Sequence, residues 1–199
     1  METEVVLSNN RIFRMFQDEY PESPREWDNL GTMACFHRRY TLGDKDIPFS
    51  SDDFNGWNEM EEYILKTLDA AVVLPLYLYD HSGITMNTTG FSCRWDSGQV
   101  GFIYITKDKI MKEYGVKRIR RQLKEKVEKM LVNEVEVYDQ YLIGDVYGFQ
   151  ILKITKCDEG HIHETHEDSC SGFYGHDIKI NGILDHISEE DANVILGQF

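Results

Sequence analysis

The sequence has few cysteines and no long apolar segment, and both absences limit what the protein can be. Its four cysteines are scattered without CxxC spacing, which predicts free thiols and no disulfide framework. The longest uninterrupted apolar run, Ala70 to Tyr79, is about half of a membrane span. The opening residues METEVV are acidic and no apolar segment follows them, which predicts no signal peptide. We therefore expect a cytoplasmic protein that does not enter a membrane.

Positive charge is also scarce, and most of it lies in one segment. The chain has 21 Lys and Arg against 35 Asp and Glu, a net charge of −14. Residues 107–129 contain ten basic and four acidic residues, a net charge of +6, which leaves −20 for the rest. A strongly acidic surface repels nucleic acids and membranes and attracts basic protein grooves, including those that hold DNA or RNA. The same charge also keeps a protein soluble without any binding role.

The pattern of apolar residues predicts an α+β fold. A chain of 199 residues with 41% apolar composition can bury one substantial core, which predicts a single domain, 1–199. Runs of strand length occur at 5–7, 11–17, 32–40, 72–79, 99–106 and 146–156, with a turn at Asn9-Asn10 between the first two, and helical spacing occurs at 57–68 and 117–143. We expect a mostly antiparallel sheet of about six strands with two main helices on one face. Residues 157–199 would add a His-rich hairpin and an acidic C-terminal elaboration.

The densest clusters of reactive side chains lie after one predicted strand and before the next. They are Asp80, His81 and Ser82, followed by Cys93, Asp96 and Ser97. Neighbours on an extended chain point to opposite faces, so a hydrolytic triad would have to form across the two clusters. His81 would then be the general base or acid, and Cys93 or Ser97 the nucleophile. Asp80 or Asp96 would orient the imidazole or bind a metal. The other interpretation is turn chemistry, in which these side chains bond the local backbone.

A second cluster, near the C-terminal end, contains side chains of the types that bind zinc. It consists of His161, His163, His166 and Cys170. In an extended strand His161 and His163 project to one side, as two ligands of a zinc site would. The spacing matches no established zinc motif, so we predict an exposed hairpin strand and no cofactor, with zinc as the alternative.

Five blocks of the sequence resemble an uncharacterised family of proteins that bacteriophages and other mobile elements of bacteria encode. The blocks are PREWDNLGTMACFHRRYTLGDK, LPLYLYDHSGITM, FSCRWDSGQVGFIYITK, VYDQYLIGDVYGF and DSCSGFYG. The similarity extends from about Arg11 to Gly175. It implies an accessory gene of an invading element and a bacterial host cell, but no activity and no catalytic residue.

Charge and resemblance together predict a counter-defence protein that acts by binding and not by catalysis. Its partner would be a host nucleic-acid-binding protein or ribonucleoprotein, such as a restriction enzyme or a CRISPR effector, and carboxylates would occupy the place of phosphates. The candidate partner-binding residues are Glu164, Glu167, Asp168, Asp185, Glu189, Glu190 and Asp191. Direct binding of nucleic acid is not expected. The alternatives are a hydrolase or nuclease around His81, and a nucleic-acid binder that uses the basic helix 117–129.

Overall fold

The computed structural model describes residues 3–198, and the chain divides into two compact units. The terminal unit comprises Met1–Glu22 and Gly144–Phe199, and the central unit comprises Ser23–Ile143. The strands are β1 (Thr3–Leu7), β2 (Arg11–Gln17), β3 (Thr32–Cys35), β4 (Ala70–Asp80), β5 (Ile84–Asn87), β6 (Ser97–Thr106), β7 (Val146–Lys156) and β8 (Ile162–Tyr174). The helices are α1 (Trp57–Lys66), α2 (Lys107–Tyr114), α3 (Arg121–Ile143) and α4 (Glu189–Leu196).

The fold class is α+β, as predicted, but the prediction of one sheet of about six strands is wrong. The structure contains two antiparallel sheets of four strands each, in the orders β1-β2-β7-β8 and β3-β6-β4-β5. The reason is that β2 pairs along its whole length with β7, from Arg11 opposite Lys153 to Gln17 opposite Tyr147. The N-terminal hairpin therefore forms a sheet with the last two strands and not with the central ones.

In the central unit, helices cover both faces of the sheet, which corrects the expectation that they share one. On β6, Ile103 and Ile105 face the core cluster that contains Leu131 of α3. Phe102 and Tyr104 face the opposite cluster, to which α1 contributes. A strand that is buried on both faces needs apolar side chains on both, which explains why QVGFIYIT is an almost continuous apolar run.

Several local signals in the sequence do form the turns and caps that they predict. Asn9 and Asn10 both adopt positive φ angles, of 59° and 57°, in the β1–β2 turn. Gly115 ends α2 in the left-handed conformation. Ser188 caps α4, since its hydroxyl accepts a hydrogen bond from the Asp191 amide. These residues set the boundaries of their elements through local chemistry alone.

A buried arginine holds the loops of the central unit against α3. The Arg25 side chain is 3% exposed, and its guanidinium donates to both carboxylate oxygens of Asp44, at 2.7 and 3.0 Å. It also donates to Glu134 of α3 at 3.0 Å and to the Gly31 carbonyl at 2.9 Å. Glu134 in turn accepts from the Leu30 amide at 2.8 Å. Burial lowers the pKa of Arg25, but the two carboxylates outweigh it and leave the pKa raised.

Two buried phenols of the central unit should make its stability depend on alkaline pH. Burial raises the pKa of Tyr104 and of Tyr138 to about 12 in each case, against about 10 in an unfolded chain. Because the folded state holds these protons more tightly, the stabilisation is complete below pH 10 and is lost as the pH rises towards 12. We expect about 2 kcal/mol or more to be lost by pH 11. Urea unfolding at pH 8 and at pH 11 measures the loss of stability, and phenolate absorbance follows the ionisation of the tyrosines. If all 11 tyrosines ionise near pH 10 in the folded protein, the prediction is contradicted.

No helix among residues 3–198 combines the length and the apolar character that a membrane crossing requires.

Candidate functional site

The two predicted catalytic clusters do come together, at one end of the central sheet. The β4–β5 turn is tight: the His81 amide donates to the Gly83 carbonyl at 3.0 Å, and Ser82 has a φ angle of 57°. The chain returns past this turn before β6, and the Asp80 amide donates to the Asp96 carbonyl at 2.8 Å. Backbone pairing between the turn and the loop that precedes β6 thus places the clusters side by side.

Asp96 is the centre of this arrangement. Its Oδ2 lies 3.4 Å from Nδ1 of His81 and 3.6 Å from Sγ of Cys93. The Ser97 hydroxyl donates to the Cys93 carbonyl, so it bonds the backbone of the same loop. Among the described residues, neither Cys93 nor Ser97 is hydrogen-bonded to His81. The imidazole and the two candidate nucleophiles are therefore near one another but are not arranged as nucleophile and base.

Asp80 and Ser82 take no part in that group. The Asp80 carboxylate forms an ion pair with Arg39 and accepts a hydrogen bond from the Tyr40 hydroxyl at 3.3 Å. Ser82 is exposed on the turn. Of the six candidate catalytic residues, Ser97 bonds the local backbone, as the turn interpretation requires, whereas Asp80, His81, Cys93 and Asp96 contact other side chains.

Two shallow clefts flank the loop that carries Arg94 and Trp95, and His81 lines neither of them. One cleft, of about 310 Å³, is bordered by His37, Arg38, Asp80 and Trp95. The other, of about 620 Å³, is bordered by aromatic and cationic side chains, among them Phe91 and Arg94. Trp95, Arg38 and Arg94 are not among the predicted site residues. The available signal was a tryptophan between a basic and an acidic residue in a polar loop.

The candidate zinc ligands do not converge. The pairing of β8 with β7 sets His163 opposite Thr155 and His166 opposite Leu152, which are on opposite faces of the sheet. His166 is hydrogen-bonded to the Ser169 hydroxyl at 3.0 Å, and Cys170 packs beside the core of the terminal unit. Within residues 3–198 no three His, Cys, Asp or Glu side chains are grouped so that they could hold a metal ion.

The candidate partner-binding carboxylates differ in their exposure and in whether they already form ion pairs. Asp191 is 2% exposed and forms a two-point ion pair with Arg11, at 2.8 and 2.9 Å. It is therefore placed to hold α4 against the sheet and not to meet a partner. Glu164 forms an ion pair with Arg14, whose pKa is raised by Glu164 first and Glu4 second. Glu190 lies 3.4 Å from the Ser8 hydroxyl. The others are exposed, and none has an ion pair with a described residue: Glu167, Asp168, Asp185 and Glu189.

Acidic charge is not distributed evenly between the two units. The terminal unit contains 16 acidic and 5 basic residues, a net charge of −11, and the central unit contains 19 acidic and 16 basic residues, a net charge of −3. The smaller unit thus carries most of the charge of −14. Its longest exposed segment, residues 158–169, covers part of the β7–β8 connection and the first part of β8.

Comparison of the chain with protein-family models, with curated proteins and with solved structures gave no match.

Proposed function

We propose that this protein inhibits a host nucleic-acid-binding protein by inserting its terminal unit into the cationic cleft that normally holds DNA or RNA. The observation that carries the proposal is the concentration of charge: −11 of the −14 belongs to the terminal unit. A cleft that binds phosphates through Lys and Arg attracts carboxylates by the same long-range field. The resemblance to proteins of phages and mobile elements makes restriction enzymes and CRISPR effectors the partners to test first.

The β7–β8 hairpin supplies the part of the terminal unit that fits a cleft. Both strands continue beyond Arg11, the first residue of β2, since β2 pairs with β7 only as far as Lys153 whereas β7 and β8 remain paired to Lys156 and Ile162. The end of the hairpin is thus two strands wide, and residues 161–169 are exposed. Asp158, Glu159 and Glu164 lie on this end of the hairpin, whereas Glu167 and Asp168 lie nearer its base, next to a bulge in the pairing and opposite the part of β7 that also pairs with β2. A narrow, exposed, acidic projection can enter a groove that a flat acidic surface could not.

The proposal predicts inhibition that depends on the free carboxylates of the terminal unit. The purified protein should inhibit DNA cleavage by at least one member of a panel of restriction enzymes and CRISPR effector complexes. The variant E167Q/D168N/D185N/E189Q removes four charges with little change in shape, and we expect it to inhibit at least tenfold less well, since each lost charge pair is worth up to about 1 kcal/mol.

A matched variant separates the position of the charges from their number. D52N/E113Q/E128Q/E136Q removes four exposed carboxylates from the central unit, and none of them has an ion pair with a described residue. It should inhibit as well as the unmodified protein. Equal loss of inhibition in the two variants would show that net charge alone matters, and an absence of inhibition across the whole panel would refute the proposed function.

A further inference from the structure

The Trp95 side chain is the most exposed large apolar group described, at 96% exposed. A tryptophan usually buries much of its ring, so one that is held in water is a candidate for contact with a ligand. The loop that carries it is fixed from both sides. The Asp96 carbonyl accepts from the Asp80 amide, the Asp96 carboxylate contacts His81 and Cys93, and the Ser97 hydroxyl donates back to Cys93. These contacts fix the loop beside Trp95 and leave the indole exposed.

Cationic and aromatic side chains alternate around this indole. Arg38 borders the cleft that also contains Trp95, and Arg94 borders the cleft on the other side of the loop with Phe91. Arg38 and Arg94 are exposed, and neither has an ion pair with any of residues 3–198, whereas Arg39 is paired with Asp80. Two arginines are therefore free to meet anions on either side of an exposed aromatic face.

His37 lies in the first cleft beside Arg38 and Arg39. Partial burial lowers its pKa, and the charges of Arg39 and Arg38 lower it further. Its ring is stacked on Tyr40 with a centroid distance of 5.1 Å, and Nδ1 accepts from the Arg39 amide at 3.3 Å. The cleft is thus lined by the His37 ring, by Arg38 and Arg39, and by two carboxylates, of which Asp80 is paired with Arg39 and Asp96 contacts His81.

We infer that the loop of Arg94 and Trp95, with Arg38, binds unpaired nucleotides of a single-stranded nucleic acid. A base can stack on Trp95 because every base has a π-face, and the adjoining phosphates can pair with Arg38 and Arg94. The expectation of no direct nucleic-acid binding came from the charge of the whole chain. The terminal unit carries −11 of that charge, and in the central unit the +6 of residues 107–129 offsets most of the −9 of the other residues, which leaves −3. The inference uses residues of the central unit alone and stands apart from the proposed function.

The fluorescence anisotropy of end-labelled oligonucleotides tests the inference on the full chain, because this signal reports binding by W95A as well as by the unmodified protein. Short oligo(dT) and oligo(rU) are titrated at about 50 mM salt, with a DNA duplex of the same length as comparison. We expect saturable binding of the single strands, and a preference for one of the two identifies the natural ligand as DNA or RNA. W95A should weaken binding about tenfold or more, since the stacking of one base is lost. R38A/R94A should also weaken binding. It should reduce the magnitude of the slope of log binding constant against log salt concentration by about 1.4, since two phosphate contacts are lost.

The basic residues near the start of α3 provide the control. R121A/K124A removes the same number of positive charges as R38A/R94A from residues that line neither cleft, and it should bind the single strands within about threefold of the unmodified protein. The inference is overturned if neither oligonucleotide binds at low salt, if W95A binds like the unmodified protein, or if R121A/K124A loses as much affinity as R38A/R94A. Trp95 is at the surface, so W95A should unfold at the same urea concentration as the unmodified protein.

Discussion

Replacement of Arg25 by alanine should destabilise the central unit by about 3–5 kcal/mol. The guanidinium is buried with two carboxylates, and its removal leaves Asp44 and Glu134 close together without a counter-charge. It also removes the donor to the Gly31 carbonyl, and leaves the loop that β3 follows tied to α3 through the Leu30 and Gly31 amides, which donate to Glu134. A loss of this size is a large fraction of the stability of a typical domain. The measurement is urea unfolding of the full chain followed by circular dichroism.

A second arginine serves as the control for this loss. Arg121 also forms an ion pair, with Glu125 at 2.7 Å, but its side chain is 92% exposed. R121A should therefore cost no more than about 0.5 kcal/mol. R25K should fall close to R25A, because an ammonium group cannot reproduce the fork that contacts Asp44 and Glu134 together. A loss below about 1 kcal/mol for R25A would mean that the buried ion pairs do not hold the loops.

Replacement of Gly101 by alanine should also be severe. A Cβ atom at this position would lie 1.9 Å from the carbonyl oxygen of Ala34 on the neighbouring strand β3. Gly101 is paired with Cys35 in the ladder between β3 and β6, so the clash cannot be relieved without separating two hydrogen-bonded strands. We expect a loss of about 3 kcal/mol or more, at the upper end of what overpacking costs. Thermal unfolding of the variant measures it.

Gly98, in the same strand, is the matched control. A Cβ atom there meets nothing within 4 Å, and the residue is exposed. G98A should therefore change the free energy of unfolding by no more than about 0.5 kcal/mol. Equal losses for G98A and G101A would show that β6 tolerates no side chain at either glycine for a reason other than contact with Ala34.

Signals that act over a few residues were sufficient to predict local structure. The Asn9-Asn10 turn, the glycine at the end of α2 and the Ser188 cap each depend on the conformations that one or two residues allow. The pairing of β2 with β7 joins residues more than a hundred positions apart, and no local preference encodes it. For the same reason the two sheets were predicted as one.

The candidate site shows the same division between local and distant effects. The adjacency of the His81 and Cys93 clusters could be predicted because the first follows β4 and the second precedes β6, and these two strands pair in one sheet. The side-chain contacts there could not be predicted, because the contact of Asp96 with His81 and Cys93 depends on how the loop before β6 folds back. The burial of Asp191 likewise depends on Arg11 at the other end of the chain. Its position in an acidic run suggested an exposed carboxylate.

Displacement of a bound duplex tests the central claim most directly. The measurement follows the anisotropy of labelled DNA on a restriction enzyme or CRISPR effector that the protein inhibits, as the protein is added at several salt concentrations. If the terminal unit occupies the cationic cleft, the protein should release the DNA competitively, less effectively at higher salt, and E167Q/D168N/D185N/E189Q should release it at least tenfold less well. Inhibition while the DNA stays bound, or equal release by that variant, would contradict the account.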